Sequence, residues 1–263
     1  MITQITSEQI PTEAFCDPYL HIVPLSLLHK KRPETQFFQG PNNTYAAYQP
    51  DTGFCYSNPD AHHILEWTQW LKDQQIRLLA GEHEAHYKLL ESFSQLASDD
   101  LNEPQVFYRY EAQDFCIHTQ SLPPEPKTPL KIKRASLKDL NRLFFFYEQS
   151  EYMQIPKHNL HYVIEANRLF YLQKMGKIVS AALTHCESDT TALIGGVYTP
   201  KAHRGKGFGY TCMWELMKSL QESNKNACLF YEKNNQAAKN LYQKMGYQAY
   251  ATWALIELSY QTP

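Results

Sequence analysis

Neither sign of charge dominates this chain. Its 25 Lys and Arg stand against 27 Asp and Glu, a formal charge of −2. That balance supplies no field for gathering nucleic acid or an anionic membrane, and no nucleic-acid motif is present. No apolar run approaches the roughly 20 residues of a membrane span. The opening "MITQITSEQIPTEAF" lacks the basic and apolar stretches of a secretory leader, so a cytoplasmic protein is expected. The six cysteines, Cys16, Cys55, Cys116, Cys186, Cys212 and Cys228, include no CxxC pair, and no His stands at zinc-finger spacing. They read as buried thiols of a reducing compartment. His62 and His63 are neighbours, and adjacent helix positions do not share a face. No metal is expected. Glycine is scarce, with 10 in 263 residues, yet three alternate within "HRGKGFGYT" at Gly205, Gly207 and Gly209.

What is present is ordinary for a soluble globular chain: 43% hydrophobic and 20% charged residues, with 13% aromatics including 18 Tyr. Such a length can bury a real core in one large domain or two of common size. "SLPPEPKTPLK", residues 121–131, carries four prolines in eleven positions. It cannot be helix and makes poor strand. Three segments follow: an N-terminal α/β domain over 1–120, a proline-rich linker over 121–129 and a second domain over 130–263.

The second half reads as β-α-α-β-β-β-α-β-α-β. "LKIKRA" is a short strand before a helix that Ser136 caps, with Asp139 at the capping-box position. Leu137, Leu140, Leu143, Phe144 and Tyr147 recur at helical spacing, and "LFFFYEQ" reads as a core stripe. "KHNLHYVIEAN" is a second helix, and "RLFYLQ" and "IVSAALTHC" form a hairpin around "KMGK". "TTALIGGVYT" is a strand stopped by Pro200. "GYTCMWELMKSLQES" is an amphipathic helix and "ACLFY" a buried strand. "NNQAAKNLYQKMG" is a helix with Asn at its start and Gly246 at its end. "YQAYATWALIEL" closes as a long strand. In the first half, "TYAAYQP", "GFCYSN", "IRLLAGE" and "QVFYRYE" read as strands, "AHHILEWTQWLKDQ" and "HEAHYKLLESFSQLA" as helices. From "GFCYSN" on, the sequence strand, helix, strand, helix, strand repeats the end of the second half without its glycine loop. The two readings are a degenerate internal copy and an unrelated α/β cap.

A loop that leaves a strand and opens a helix presents free N–H groups at the positive end of the helix dipole. Glycines let that backbone fold into an anion-binding nest and let a phosphate approach, and Arg204 and Lys206 add charge. The pattern GxxxxGK[ST] is absent. The dinucleotide pattern GxGxxG needs glycine where Tyr210 stands, although Glu232 lies about where a ribose-binding acid belongs. What remains is Arg-x-x-Gly-x-Gly at Arg204, Gly207 and Gly209. Together with the preceding "IGGVYTP" and the downstream Asn235, Ala238, Tyr242, Gly246 and Tyr247, it resembles the acyl-CoA pyrophosphate loop and following helix of the GNAT superfamily of N-acyltransferases, in the branch of glycine N-acyltransferase-like and bacterial acetyltransferases. The resemblance covers about residues 129–258.

That resemblance implies an α/β fold with a GNAT-like mixed sheet and a CoA-binding strand splay, preceded by a second α/β domain that reads as a degenerate GNAT-like half. It implies pantetheine pairing with a strand edge at Val197, Tyr198 and Thr199, beside a bulge at Gly195 and Gly196. A backbone N–H near Val197 or Tyr198 would then stabilise the thioester oxyanion. The pyrophosphate would rest on the N–H groups from Arg204 through Gly205, Lys206, Gly207, Phe208, Gly209, Tyr210 and Thr211, and Asn235 would reach the CoA arm. Tyr242 is the implied acid for the leaving thiolate. Glu232, after the strand "ACLFY", and Glu151, in the acceptor region, are the base candidates; His185 and a water-mediated route stay open beside them. The activity implied is acetyl transfer from acetyl-CoA to a primary amine of a small molecule, amino acid or peptide, by direct attack in a ternary complex. A catalytically inactive CoA-binding module and a nucleotide-binding protein are the alternatives. The long closing strand and the aromatic content allow a homodimer.

Overall fold

The structure is a computed structural model that describes residues 1–263 except 31–33, 96–104, 120, 128–129, 151–152, 154 and 262–263. In chain order the first half runs β1 (Thr3–Ile5), α1 (Ile22–Lys30), β2 (Gln36–Gln39), β3 (Tyr45–Gln49), β4 (Phe54–Ser57), α2 (Ile64–Asp73), β5 (Leu78–Glu82), α3 (His83–Gln95) and β6 (Gln105–His118). The second runs β7 (Ile132–Arg134), α4 (Leu140–Tyr147), α5 (Lys157–Ala166), β8 (Leu169–Lys174), β9 (Lys177–Glu187), β10 (Thr191–Tyr198), α6 (Phe208–Gln221), β11 (Asn226–Glu232), α7 (Gln236–Lys244) and β12 (Gln248–Gln261). The order expected for the second half is the order found. By contacts the chain divides into one unit of Met1–Phe115 with Tyr250–Pro263, and another of Cys116–Ala249. No helix among the described residues is long and apolar enough to cross a membrane.

In the second unit the strands run β11-β10-β9-β8-β7. All neighbours are antiparallel except the parallel pair β10 and β11. Strand side chains alternate between faces, and β8 shows what this does. Phe170 and Leu172 enter a core with α6 residues such as Cys212, Met213 and Leu216. Leu169 and Tyr171 enter a separate core with Leu143, Phe146 and Tyr147 of α4 and Leu160 and Val163 of α5. The sheet is therefore covered on both faces. The Ser136 and Asp139 capping box is present, but it opens a short 3-10 turn, and α4 proper starts at Leu140. Leu137 falls in that turn and is exposed, unlike the periodic residues after it. The proline-rich segment packs inside this unit along α6. Tyr210 Oη donates to the Pro124 carbonyl at 2.8 Å and Trp214 Nε1 to the Pro123 carbonyl at 2.9 Å.

The first unit orders its strands β1-β2-β3-β4-β5-β12-β6. It repeats the same plan: antiparallel steps from β1 to β4, then a parallel β4–β5 pair. Its core gathers Phe38, Trp67, Trp70, Leu71, Leu79 and Leu89 with Ala254 and Ile256 of β12. The Trp67 indole N–H donates to Thr44 Oγ1 at 3.1 Å, which satisfies its one polar atom when the ring is buried. The elements β1, α1 and β2 extend the sequence reading, which began only at "TYAAYQP". None of the six cysteines, all among the described residues, forms a disulfide. Cys16 departs from expectation in being exposed, and Cys186 is half-buried.

Candidate functional site

The parallel ladder between β10 and β11 runs from Thr191 opposite Asn226 to Ile194 opposite Leu229. Both strands continue beyond it, to Tyr198 and Glu232. They continue unpaired with each other and so leave backbone groups of β10 available to a ligand. The cause lies in β10 itself. Against β9 its register slips between Gly195, opposite Leu183, and Tyr198, opposite Ala181. Three steps along β10 match two along β9, which is a one-residue bulge. Gly196 carries the turn with φ +55°, and a Cβ there would lie 2.6 Å from Leu183, so only glycine fits. The tail of β10 is held firmly. The Tyr147 hydroxyl donates to the Gly196 carbonyl at 2.7 Å, Tyr198 Oη to the Gln149 carbonyl at 3.0 Å, and Ser180 and Thr199 hydroxyls pair at 2.9 Å.

After Pro200 a short 3-10 turn at Lys201–His203 leads to the glycines. Gly205 and Gly207 both have φ +74°, and a Cβ on either would meet nothing within 4 Å. Their need for glycine is conformational, and the space above them is open. Gly207 is the N-cap of α6. Thr211 N donates to the Gly207 carbonyl at 3.0 Å, and Thr211 Oγ1 donates to the same oxygen. Thr211 is thereby removed from the expected anion-binding run, which ends at Tyr210. The backbone N–H groups from Gly205 to Tyr210 have no backbone acceptor among the described residues. The basic side chains shape the loop: Arg204 Nε donates to the Thr199 carbonyl and Lys206 Nζ to the Ala202 carbonyl, each at 2.9 Å.

Asn235 caps α7, its Oδ1 accepting from Ala238 N at 3.1 Å. Val197, Tyr198, Arg204 and Asn235 line one cavity of about 300 Å³ together with Gln149 and Met153. The sequence reading missed Tyr147, Ser180, Gln149 and Met153. Its only signal at Tyr147 was a core stripe, and the hydroxyl's partner lies 49 residues along the chain. Tyr242 does not line the cavity. Its ring is 8% exposed and lies 5.5 Å from the Tyr231 ring and 5.9 Å from that of Tyr247. Burial pushes its phenol well above the usual range, so it stays protonated. Glu232 is half-buried at the end of β11, where its carbonyl accepts from Asn235 N at 2.8 Å. Glu151 lies outside the described residues. The His185 ring covers Gly195, where a Cβ would meet it at 2.2 Å, and it does not line the cavity.

The first unit has a corresponding connection from β4 to α2, residues 58–63, with no glycine. There Asp60 Oδ1 accepts from His62 N at 2.7 Å and from His63 N at 3.1 Å, and His63 Nδ1 lies 3.1 Å from Asp60 Oδ2. A carboxylate of the chain itself takes up the N–H groups ahead of α2.

Residues 174–255 match the family model described as FR47-like protein. No curated protein sequence matches. Among solved structures, the chain is similar to a Drosophila protein at TM-score 0.74 and 11% identity, covering 98% of each chain. It is similar to a GCN5-related N-acetyltransferase from Sphaerobacter thermophilus at TM-score 0.65 and 14% identity, over 100% of this chain and 96% of the other. It is also similar to an acetyltransferase from the GNAT family of Colwellia psychrerythraea at TM-score 0.58 and 17% identity, over 98% and 99%. Residues 174–255 thus carry an FR47-like segment, and the fold of the chain is similar to that of these solved acetyltransferase structures.

Proposed function

We propose that this protein is an acyl-CoA-dependent N-acetyltransferase, passing an acetyl group from acetyl-CoA to a primary amine of a small molecule, amino acid or peptide in a ternary complex. One observation carries the reading: the unpaired end of β10 opens beside an α6 N-terminus whose N–H groups are uncommitted. Pantetheine pairs with Val197, Tyr198 and Thr199. The pyrophosphate rests on the N–H groups from Gly205 to Tyr210 with Arg204 and Lys206 nearby, and Asn235 offers its amide to the CoA arm. No metal is needed for this chemistry.

The amine nitrogen attacks the thioester carbon, and the carbonyl electron pair moves to oxygen, where the Val197 N–H stabilises it. Collapse breaks the C–S bond, and the thiolate takes a proton from water or from Tyr242, which reaches it only if its buried phenol turns towards the cavity that it does not line. The amine's surplus proton leaves to Glu232, to Glu151 or to water. A lysine-like amine with pKa near 10.4 is neutral in only about one molecule in 10³ at pH 7, so this proton transfer matters.

A second reading, a CoA-binding module without turnover, is favoured by two features: Tyr242 is buried away from the cavity, and no carboxylate lines that cavity among the described residues. The test is release of free CoA thiol from acetyl-CoA over a broad panel of amines. Acceptor-dependent release supports the enzyme. Tight acetyl-CoA binding with no release on any amine supports the module.

A further inference from the structure

A buried hydroxyl behind the β10 bulge sets the direction of the peptide in front of it. Tyr147 is fully buried in the α4 core, and its Oη donates to the Gly196 carbonyl at 2.7 Å. Gly196 O and the Val197 N–H belong to one planar trans peptide, in which the two groups point in opposite directions. Fixing the carbonyl on Tyr147 therefore turns the Val197 N–H away from α4. Neither Gly196 nor Val197 takes part in the register with β9, which passes from Gly195 to Tyr198. Without Tyr147 the ladder would leave this peptide plane undetermined. Val197 is among the residues that line the 300 Å³ cavity. The Tyr147 ring is itself braced, 5.3 Å from Phe146 and 6.4 Å from Tyr198.

We propose that Tyr147 is a positioning residue that orients the Val197 N–H as hydrogen-bond donor to the acyl carbonyl of the bound thioester. This rests on the acyl-CoA reading of the site. Tyr147 acts through Gly196 and touches no reacting atom.

The test is the carbonyl stretch of acetyl-CoA labelled with carbon-13 at the carbonyl, bound to the full chain and followed by isotope-edited infrared difference spectroscopy. A hydrogen bond to the carbonyl lowers its frequency. The wild type is expected to shift the band to lower wavenumber relative to free acetyl-CoA. Tyr147→Phe keeps the ring and removes only the hydroxyl. It is expected to lose most of that shift while its affinity for CoA, which has no acyl carbonyl, stays within twofold of wild type. Phe146→Leu perturbs the same packing but keeps the hydroxyl, and is expected to retain the shift. An unchanged band in Tyr147→Phe overturns the proposal. So does joint loss of CoA and acetyl-CoA binding in that variant, because Tyr147 then merely holds the fold. Loss of the shift in Phe146→Leu overturns it too, assigning the effect to packing. Wild type that binds acetyl-CoA with no band shift contradicts the proposal alone. Wild type that binds no acetyl-CoA overturns the acyl-CoA reading and this inference with it.

Discussion

Arg204 reaches back along the chain and donates through Nε to the carbonyl of Thr199 at 2.9 Å. The guanidinium thus locks the end of β10 to the start of the glycine loop. In the proposed complex its two Nη groups supply charge to the pyrophosphate. Lysine can supply the charge but not both functions at once. Arg204→Lys is expected to weaken acetyl-CoA binding by about tenfold, near 1.4 kcal/mol, and Arg204→Ala by more. Calorimetric titration at two salt concentrations checks this. The alanine variant is expected to lose part of the salt dependence as well as the affinity.

Each chain is expected to bind one acetyl-CoA, although its two units share a sheet plan. In the first unit Asp60 already accepts from His62 N and His63 N, whereas the N–H groups of Gly205 to Tyr210 in the second unit have no backbone acceptor among the described residues. A stoichiometry of one in calorimetry agrees with this. A stoichiometry of two contradicts it. Asp60→Ala is expected to lower stability by about 1 kcal/mol, because the His62 and His63 N–H groups lose their acceptor, and to leave acetyl-CoA affinity unchanged.

Tyr242→Phe separates an acid from a core aromatic. The buried ring is kept and the phenol, which burial holds protonated, is removed. Once an acceptor is found, kcat is expected to fall by about 10²-fold or more with acetyl-CoA affinity preserved. Unchanged turnover would make Tyr242 a packing residue beside Tyr231 and Tyr247.

His86 makes the stability of the first unit depend on pH. It is fully buried, with Nε2 3.1 Å from Ser57 Oγ and Nδ1 2.7 Å from the Glu82 carbonyl. Burial lowers its pKa from 6.5 to about 4. The unfolded chain therefore takes up a proton that the folded chain refuses. Stability is full above pH 6.5 and falls as pH drops towards 4, by roughly 3 kcal/mol from this group. Denaturant unfolding at pH 7 and pH 5 measures the slope, and His86→Gln is expected to flatten it.

The local parts of the site were legible because backbone geometry dictates residue type. Left-handed φ at Gly205 and Gly207, the cap at Asn235 and the stop at Gly246 each leave a mark in the sequence. The β10 bulge was legible at Gly195 and Gly196 for the same reason. What could not be read is long-range pairing between unlike elements. The Tyr147 hydroxyl and the Gly196 carbonyl share no pattern, nor do Ser180 and Thr199. In the first unit α1 carries Pro24 and Ser26 among its buried residues, and β1 is three residues long, so neither gives a usable period. Thr211 is expected from the sequence among the anion-binding N–H groups at the start of the helix, yet its N–H and hydroxyl both close the first turn of α6.

The most direct measurement is isothermal titration of acetyl-CoA into the purified protein and into Gly207→Glu, with ATP and NAD as competitors. Gly207 holds φ +74° with open space where its side chain would be, so glutamate there adds backbone strain and places a negative charge in the nest. Micromolar binding by wild type, resistant to ATP and NAD and lost in Gly207→Glu, is the predicted result. Absence of binding by wild type, or equal binding by the variant, contradicts the acyl-CoA site.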